Sequence, residues 1–256
     1  MNILTPQAIA EPNTIVRVVV GSTVHGLEIS GTDDRDEMGV CLEPPQYVIG
    51  LDHFEQWVYR TQPQGVRSQP GDLDLTVYSA RKYVNLVLKG NPTILTLLFV
   101  PKESTLFETR DGASLRINGK NWLSRKAGQA FLGYLTAQKQ RLLGERGQKN
   151  VNRPELVEKY GYDTKYAGHV IRLGYQGIEL MTTGNISLPM QDPPRQYIRD
   201  VREGKFTLDT VLTHAGILEK ELKSAIDQSF LPEEPDREAA NRWLYVTYQA
   251  YWKVYG

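Results

Sequence analysis

The 256-residue chain has a single cysteine, Cys41, and no net formal charge. One thiol cannot form an internal disulfide, which suits a reducing compartment and predicts a cytoplasmic protein. Its neighbours are apolar, so Cys41 reads as a small core side chain rather than a nucleophile. No apolar run approaches the roughly 18 residues of a membrane span, so no membrane association is expected. The opening MNILTPQAIAEPN lacks a basic start followed by an apolar block and does not read as a signal peptide. No internal repeat and no low-complexity segment is present. Hydrophobic content of 40% and charged content of 23% are those of an ordinary globular protein with a substantial core. The zero net charge conceals a segregation. Between Arg116 and Arg153 nine basic residues face one acid, Glu145, with Trp122, Phe131 and Tyr134 interleaved. Such a segment either attracts a polyanion or forms a solvated helix face over core aromatics.

The first half reads as mixed. Thr14–Val20 is predicted as a buried strand and Glu37–Leu42 as a second, with further strand material at Tyr47–Leu51 and Phe54–Arg60. TQPQGVRSQPGD is predicted as a mobile loop. Asp72–Tyr78 alternates polar and apolar residues as a half-buried strand does. Ser79 is positioned to cap a helix whose Ala80, Tyr83, Val84, Val87 and Leu88 share one face. The second half reads as helical over Ser124–Glu145, Pro154–Thr183, Thr207–Phe230 and Arg237–Tyr255. The expected fold class is α+β. An α/β head with a mixed sheet covers residues 1–110, a helical region covers 111–256, and their boundary falls within 105–125.

The chemistry concentrates in Gly21–Val40, GSTVHGLEISGTDDRDEMGV. A strand that ends in Gly21-Ser22 leaves backbone N–H groups and a hydroxyl where an anion can dock. Asp34 and Asp36 are two apart, so on an extended strand their carboxylates leave on one face. Paired hard oxygens suit Mg²⁺ or Mn²⁺. Asp33 then points away, as a turn residue. Asp72 and Asp74 alternate in the same way on a later strand, and either can supply a third carboxylate. Two metals roughly 3.5–4 Å apart would serve an in-line displacement at phosphorus. On the predicted helix 154–183, Lys165, His169, Arg172 and Gln176 form one polar stripe, either a phosphate grip or a solvated face. Arg81, Lys82 and His25 remain open between phosphate or base contacts and ordinary structural roles.

Strand, Gly-Ser, Asp-x-Asp and a later strand Asp together resemble the nucleotidyltransferase superfamily that includes DNA polymerase beta. The stretch GSTVHGLEISGTDDRDEMGV is similar to the signature of a bacterial and phage family of predicted nucleotidyltransferases associated with RNA ligases and RNA repair. DLTVYSARKYVNLVLKGNPTILTLLF and GYDTKYAGHVIRLGYQGIELMTTGNISLP resemble later blocks of that family. The resemblance implies that Gly21 and Ser22 bind nucleotide phosphates. It implies that Asp34 and Asp36 hold metal and that Asp74, with Asp72 as its rival, is the third ligand and base. Lys165, His169 and Arg172 would grip phosphates. Asp33 departs from the family pattern, which has Ser there, and adds negative charge beside the metal ligands.

The implied activity is transfer of NMP from an NTP to a hydroxyl with release of pyrophosphate, on RNA such as a damaged tRNA end, alongside an RNA ligase. Two other readings stand beside it. The same chemistry could label a protein or small-molecule hydroxyl, or the chain could be a catalytically silent RNA- or nucleotide-binding module.

Overall fold

The computed structural model describes residues 4–29, 34–63, 65–143 and 153–255; Asp33, together with Arg146 and Lys149 of the basic segment, lies outside them. In chain order the elements are α1 (Pro6–Ala10), β1 (Thr14–Val19), α2 (Gly21–His25), β2 (Arg35–Cys41), β3 (Gln56–Arg60), β4 (Leu73–Ser79), α3 (Ala80–Leu88), α4 (Pro92–Phe99), β5 (Thr105–Glu108) and α5 (Arg110–Asn121). There follow α6 (Arg125–Leu142), α7 (Pro154–Tyr160), α8 (Thr164–Thr183), α9 (Pro194–Arg202), α10 (Leu208–Gln228) and α11 (Arg237–Tyr255). The chain is α+β, with a mixed sheet and many helices. It divides into two compact units, one of residues 1–88, 93–122 and 235–256, the other of 89–92 and 123–234.

In the first unit the sheet runs β3-β4-β2-β1-β5. β2 and β4 are parallel, and the other neighbours are antiparallel. Parallel neighbours require a long crossover; here β3 returns on the far side of β4 before β4 joins β2. Alternation buries both faces, with Val16 and Val18 of β1 and Val40 of β2 on one and Cys41 of β2 with Leu75 and Val77 of β4 on the other. Strand β4 passes directly into α3, where Ser79 Oγ accepts from Lys82 N at 3.1 Å, the cap that Ser79 was positioned to supply. The five residues expected on one face of α3 are the five that are buried. Helix α11 also belongs to this unit. Its Trp243 Nε1 donates to Ser114 Oγ at 3.0 Å, its Tyr251 hydroxyl donates to Asn13 Oδ1 at 2.9 Å, and its Trp252 Nε1 donates to the Glu43 carbonyl at 3.0 Å.

Tyr47–Leu51 is not a strand. Pro45–Tyr47 forms a single 3₁₀ turn, into which the N–H groups of Tyr47, Val48 and Ile49 bond back to the Pro44 and Pro45 carbonyls, and the fixed φ of the two prolines sets its start. Pro154–Thr183 is two helices rather than one: Gly161 takes φ 81° and ends α7, and Asp163 opens α8 by accepting from Tyr166 N at 2.9 Å. In the second unit α6, α8 and α10 share a core that includes Phe131, Leu135, Leu173, Leu180, Leu218 and Leu222. Each such buried side chain contributes about 2 kcal/mol, more than the helix propensity of any single residue.

Candidate functional site

Register brings the acids together. Strands β2 and β4 pair in parallel with Asp36 opposite Asp74, so the two carboxylates leave one face of the sheet side by side. Asp34, just before β2, completes the group: one carboxylate oxygen from each of Asp34, Asp36 and Asp74 lies within 4.8 Å of the others, and all three residues are half-buried. Asp72 is engaged elsewhere, closing its own turn. It accepts from Thr61 Oγ1 at 2.8 Å and from Gln69 N at 2.7 Å. Among the described residues, then, the third carboxylate of the cluster is that of Asp74. Three converging carboxylates are a hard-oxygen donor set, which fits a divalent cation.

The Gly-Ser turn lies against the same acids. After β1, Val20 N donates to the Asp36 carbonyl at 2.9 Å. Gly21 then opens α2 with φ +73°, and a Cβ placed on it would fall 2.1 Å from Asp36 Oδ2. Both the backbone angle and the space exclude any residue with a side chain. The glycine therefore lets the Asp36 carboxylate sit directly beside the first turn of α2. Ser22 follows it, half-buried, whereas His25, at the end of that turn, is buried.

Asp74 is held by four donors. Arg60 on the neighbouring strand β3 forks onto it, Nε to Oδ1 at 2.7 Å and Nη2 to Oδ2 at 3.3 Å. Ser68 Oγ and Gln62 Nε2, from the loop between β3 and β4, add bonds of 2.7 and 2.9 Å. The Arg60 guanidinium first, then Ser68 and Gln62, hold its carboxyl below the usual range against the opposing effect of burial. Asp74 is thus ionised and oriented. Glu37, the next residue after Asp36, leaves the opposite face of β2 and is buried, paired with Arg17 and with Arg35 at 2.6 Å. Neither Arg60 nor the Arg17 partner of Glu37 is marked by a local sequence pattern, since the Arg60–Asp74 and Arg17–Glu37 partnerships cross strands.

Lys165, His169 and Arg172 lie on α8 in the second unit, whereas the aspartates and Gly21 lie in the first. Arg172 links the stripe, donating from Nη1 to Gln176 Oε1 at 2.9 Å and meeting His169 Nδ1 from Nη2 at 2.8 Å. A guanidinium only donates, so Nδ1 is the acceptor and the imidazole is neutral. Burial, reinforced by the Arg172 charge, pushes His169 down to about 3. Burial and the nearby Arg202 charge lower Arg172 to about 10. The folded protein thus takes up the His169 proton later than the unfolded chain, whose histidine titrates near 6.5. This contribution to stability is complete above that value and is lost as pH falls from about 6.5 towards 3. His169→Gln is expected to flatten the fall in melting temperature over that interval; an unchanged acid limb would contradict the assignment.

The basic segment is largely paired at home. Arg116 bridges Glu108 at 2.9 Å, Lys126 bridges Glu234 at 2.5 Å, Arg153 meets Asp163 at 3.3 Å, and Lys139 pairs with Glu219. Lys120 stands over the Phe99 ring, and Arg125 donates to the carbonyls of Leu231 and Ser229. Trp122 and Phe131 are core residues, while Tyr134 is exposed. The partners Glu108, Glu219 and Glu234 lie outside the segment in sequence, which is why its composition alone overstates its free charge.

Among the described residues, no helix is long and apolar enough to cross a membrane. No curated protein matches the chain. Among solved structures it resembles a nucleotidyltransferase-like protein from Exiguobacterium sibiricum 255-15, at 13% identity and a TM-score of 0.30, over 93% of this chain and 74% of that one. The family model described as RNA repair pathway DNA polymerase beta family matches residues 5–246. With an acid triad beside a glycine turn and a match over nearly its whole length, the chain belongs to that family.

Proposed function

We propose that the protein is a metal-dependent nucleotidyltransferase that moves NMP from an NTP to a hydroxyl on RNA, a tRNA end being the favoured acceptor. The observation that carries this reading is the convergence of Asp34, Asp36 and Asp74 against the Gly21 turn. Asp34, Asp36 and Asp74 would hold Mg²⁺ or Mn²⁺. A divalent cation there neutralises phosphate charge and favours ionisation of the attacking hydroxyl.

In the reaction the acceptor hydroxyl gives up its proton to water, its oxygen bonds to the α-phosphorus, the bond from that phosphorus to the bridging oxygen breaks, and pyrophosphate leaves. The chain's own contribution is positioning. Gly21 and Ser22 present a backbone and a hydroxyl to the phosphates. Arg60, Ser68 and Gln62 keep the Asp74 carboxylate ionised and aimed, which serves ligation and weakens Asp74 as a proton acceptor. Lys165, His169 and Arg172 form the phosphate grip of this reading. It is supported by the Arg202 guanidinium, which lies near enough to Arg172 to lower its basicity and so adds a second positive charge beside the stripe. A cytoplasmic setting, with an RNA ligase acting on the same ends, completes the proposal.

The test is incubation with each α-phosphate-labelled NTP, Mg²⁺ or Mn²⁺, and a tRNA pool. The expected result is label on RNA. Label on the protein would indicate self- or protein modification. Nucleotide binding without any labelled product would leave a silent module or a small-molecule acceptor.

A further inference from the structure

A second cavity lies beyond the opposite end of β4 from the acids. The strand rise puts Ser79, where β4 ends, about 16 Å from Asp74, and the cavity opens next to α3, between α3 and α11. Its volume is about 550 Å³, within the usual range for ligand pockets. All its walls belong to the first unit.

The lining has a definite chemistry. Val84 and Leu88 supply an aliphatic side, and Tyr245, Tyr248 and Trp252 supply ring faces. Arg81 and Arg237 are its charged residues, and no carboxylate lines it among the described residues. Arg81 feels the charges of Glu43 and Glu55, whereas Arg237 stands exposed at the start of α11.

The aromatic wall is fixed from behind. Tyr248 donates to Glu43 Oε2 at 2.7 Å and accepts from Arg81 N at 3.3 Å. Trp252 is bonded to the carbonyl of the same glutamate, and the two rings stand 5.1 Å apart. Glu43 is fully buried, and its second carboxylate oxygen has no hydrogen-bond partner. Burying a carboxyl in this way is costly, yet it holds the Tyr248 ring in place at the edge of an open cavity.

We infer that this cavity is a second nucleotide-binding site, distinct from the acid triad, which takes a phosphate on Arg81 and Arg237 and stacks the attached base on the Tyr245–Trp252 wall. Rigid aromatic faces beside guanidiniums, without carboxylates, are what a phosphate-linked planar ring requires. The nucleotide can arrive free or as one unit of an RNA strand. The inference does not rest on the transferase reading, because the site needs no metal and shares no residue with the triad.

The experiment measures binding of a short fluorescein-labelled polyadenosine RNA and, in competition, adenosine monophosphate, both in EDTA. The variants are Arg237→Glu and Tyr245→Ala, whose side chains are exposed, with thermal melts to verify folding. Each should weaken binding by at least about tenfold. Displacement of the RNA by adenosine monophosphate would identify a free nucleotide as a sufficient ligand; binding of the RNA alone would identify the strand. Absence of wild-type binding, or unchanged affinity in folded Arg237→Glu and Tyr245→Ala, overturns the inference. Absence of transfer by the wild-type protein with this binding intact would count against the transferase reading and not against this site.

Discussion

Asp36→Ala will reduce nucleotide transfer by at least about a thousandfold without unfolding the protein. Asp36 is half-buried at the start of β2 and contributes no apolar core surface. It lies opposite Asp74 in register and within the same oxygen cluster as Asp34, so its removal takes one of three converging carboxylates and one source of repulsion together. The two consequences separate experimentally. In EDTA the variant should melt at the wild-type temperature or above it, because like charges no longer face one another. With Mg²⁺ added, the wild type should gain stability by binding the ion, and the variant should gain much less. A variant that melts far lower in EDTA would show Asp36 to be a structural residue instead.

Gly21→Ala will damage the site without touching a functional group. A left-handed backbone costs an ordinary residue about 1–2 kcal/mol, and the new Cβ would also meet Asp36 Oδ2 at 2.1 Å. The nearest atoms belong to a short, constrained side chain, so relief requires the carboxylate to swing away or the α2 turn to move. Either response separates the Gly-Ser turn from the acids. Transfer should fall by about a hundredfold or more, with a lower melting temperature both with and without Mg²⁺. Ser22→Ala is the matched comparison, since it removes a hydroxyl and leaves the turn; its loss should be smaller and confined to activity.

Much of this site was legible before any coordinates. The two-residue spacing of Asp34 and Asp36, and the alternation of Asp72 and Asp74, placed four carboxylates on neighbouring strands. Period alone could not choose between Asp72 and Asp74, because residues two apart share a face. Register and the turn chemistry bring Asp74 rather than Asp72 into the carboxylate cluster: Asp74 lies opposite Asp36, and Asp72 is taken by Thr61 and the backbone of Gln69. The buried face of α3 was equally clear, since a helical period repeats within nine residues. The 3₁₀ turn at Pro45–Tyr47 was overshadowed by an apolar run, although Pro44-Pro45 gave the signal against a strand. What was not legible is non-local. Arg60 reaches Asp74 across 14 positions, and Tyr248 reaches Glu43 across 205; no window of sequence contains both partners. The basic stretch stayed open between its two readings for the same reason, because Glu108, Glu219 and Glu234 come to it from outside.

The measurement that bears most directly on the central claim is a Mn²⁺ titration followed by electron paramagnetic resonance, in the presence of NTP, on wild type and Asp36→Ala. The account predicts Mn²⁺ bound by the wild-type protein and displaced by Mg²⁺, with binding largely lost in the variant. Equal Mn²⁺ binding by both proteins would contradict it, because the converging carboxylates would then not be the metal site on which transfer depends.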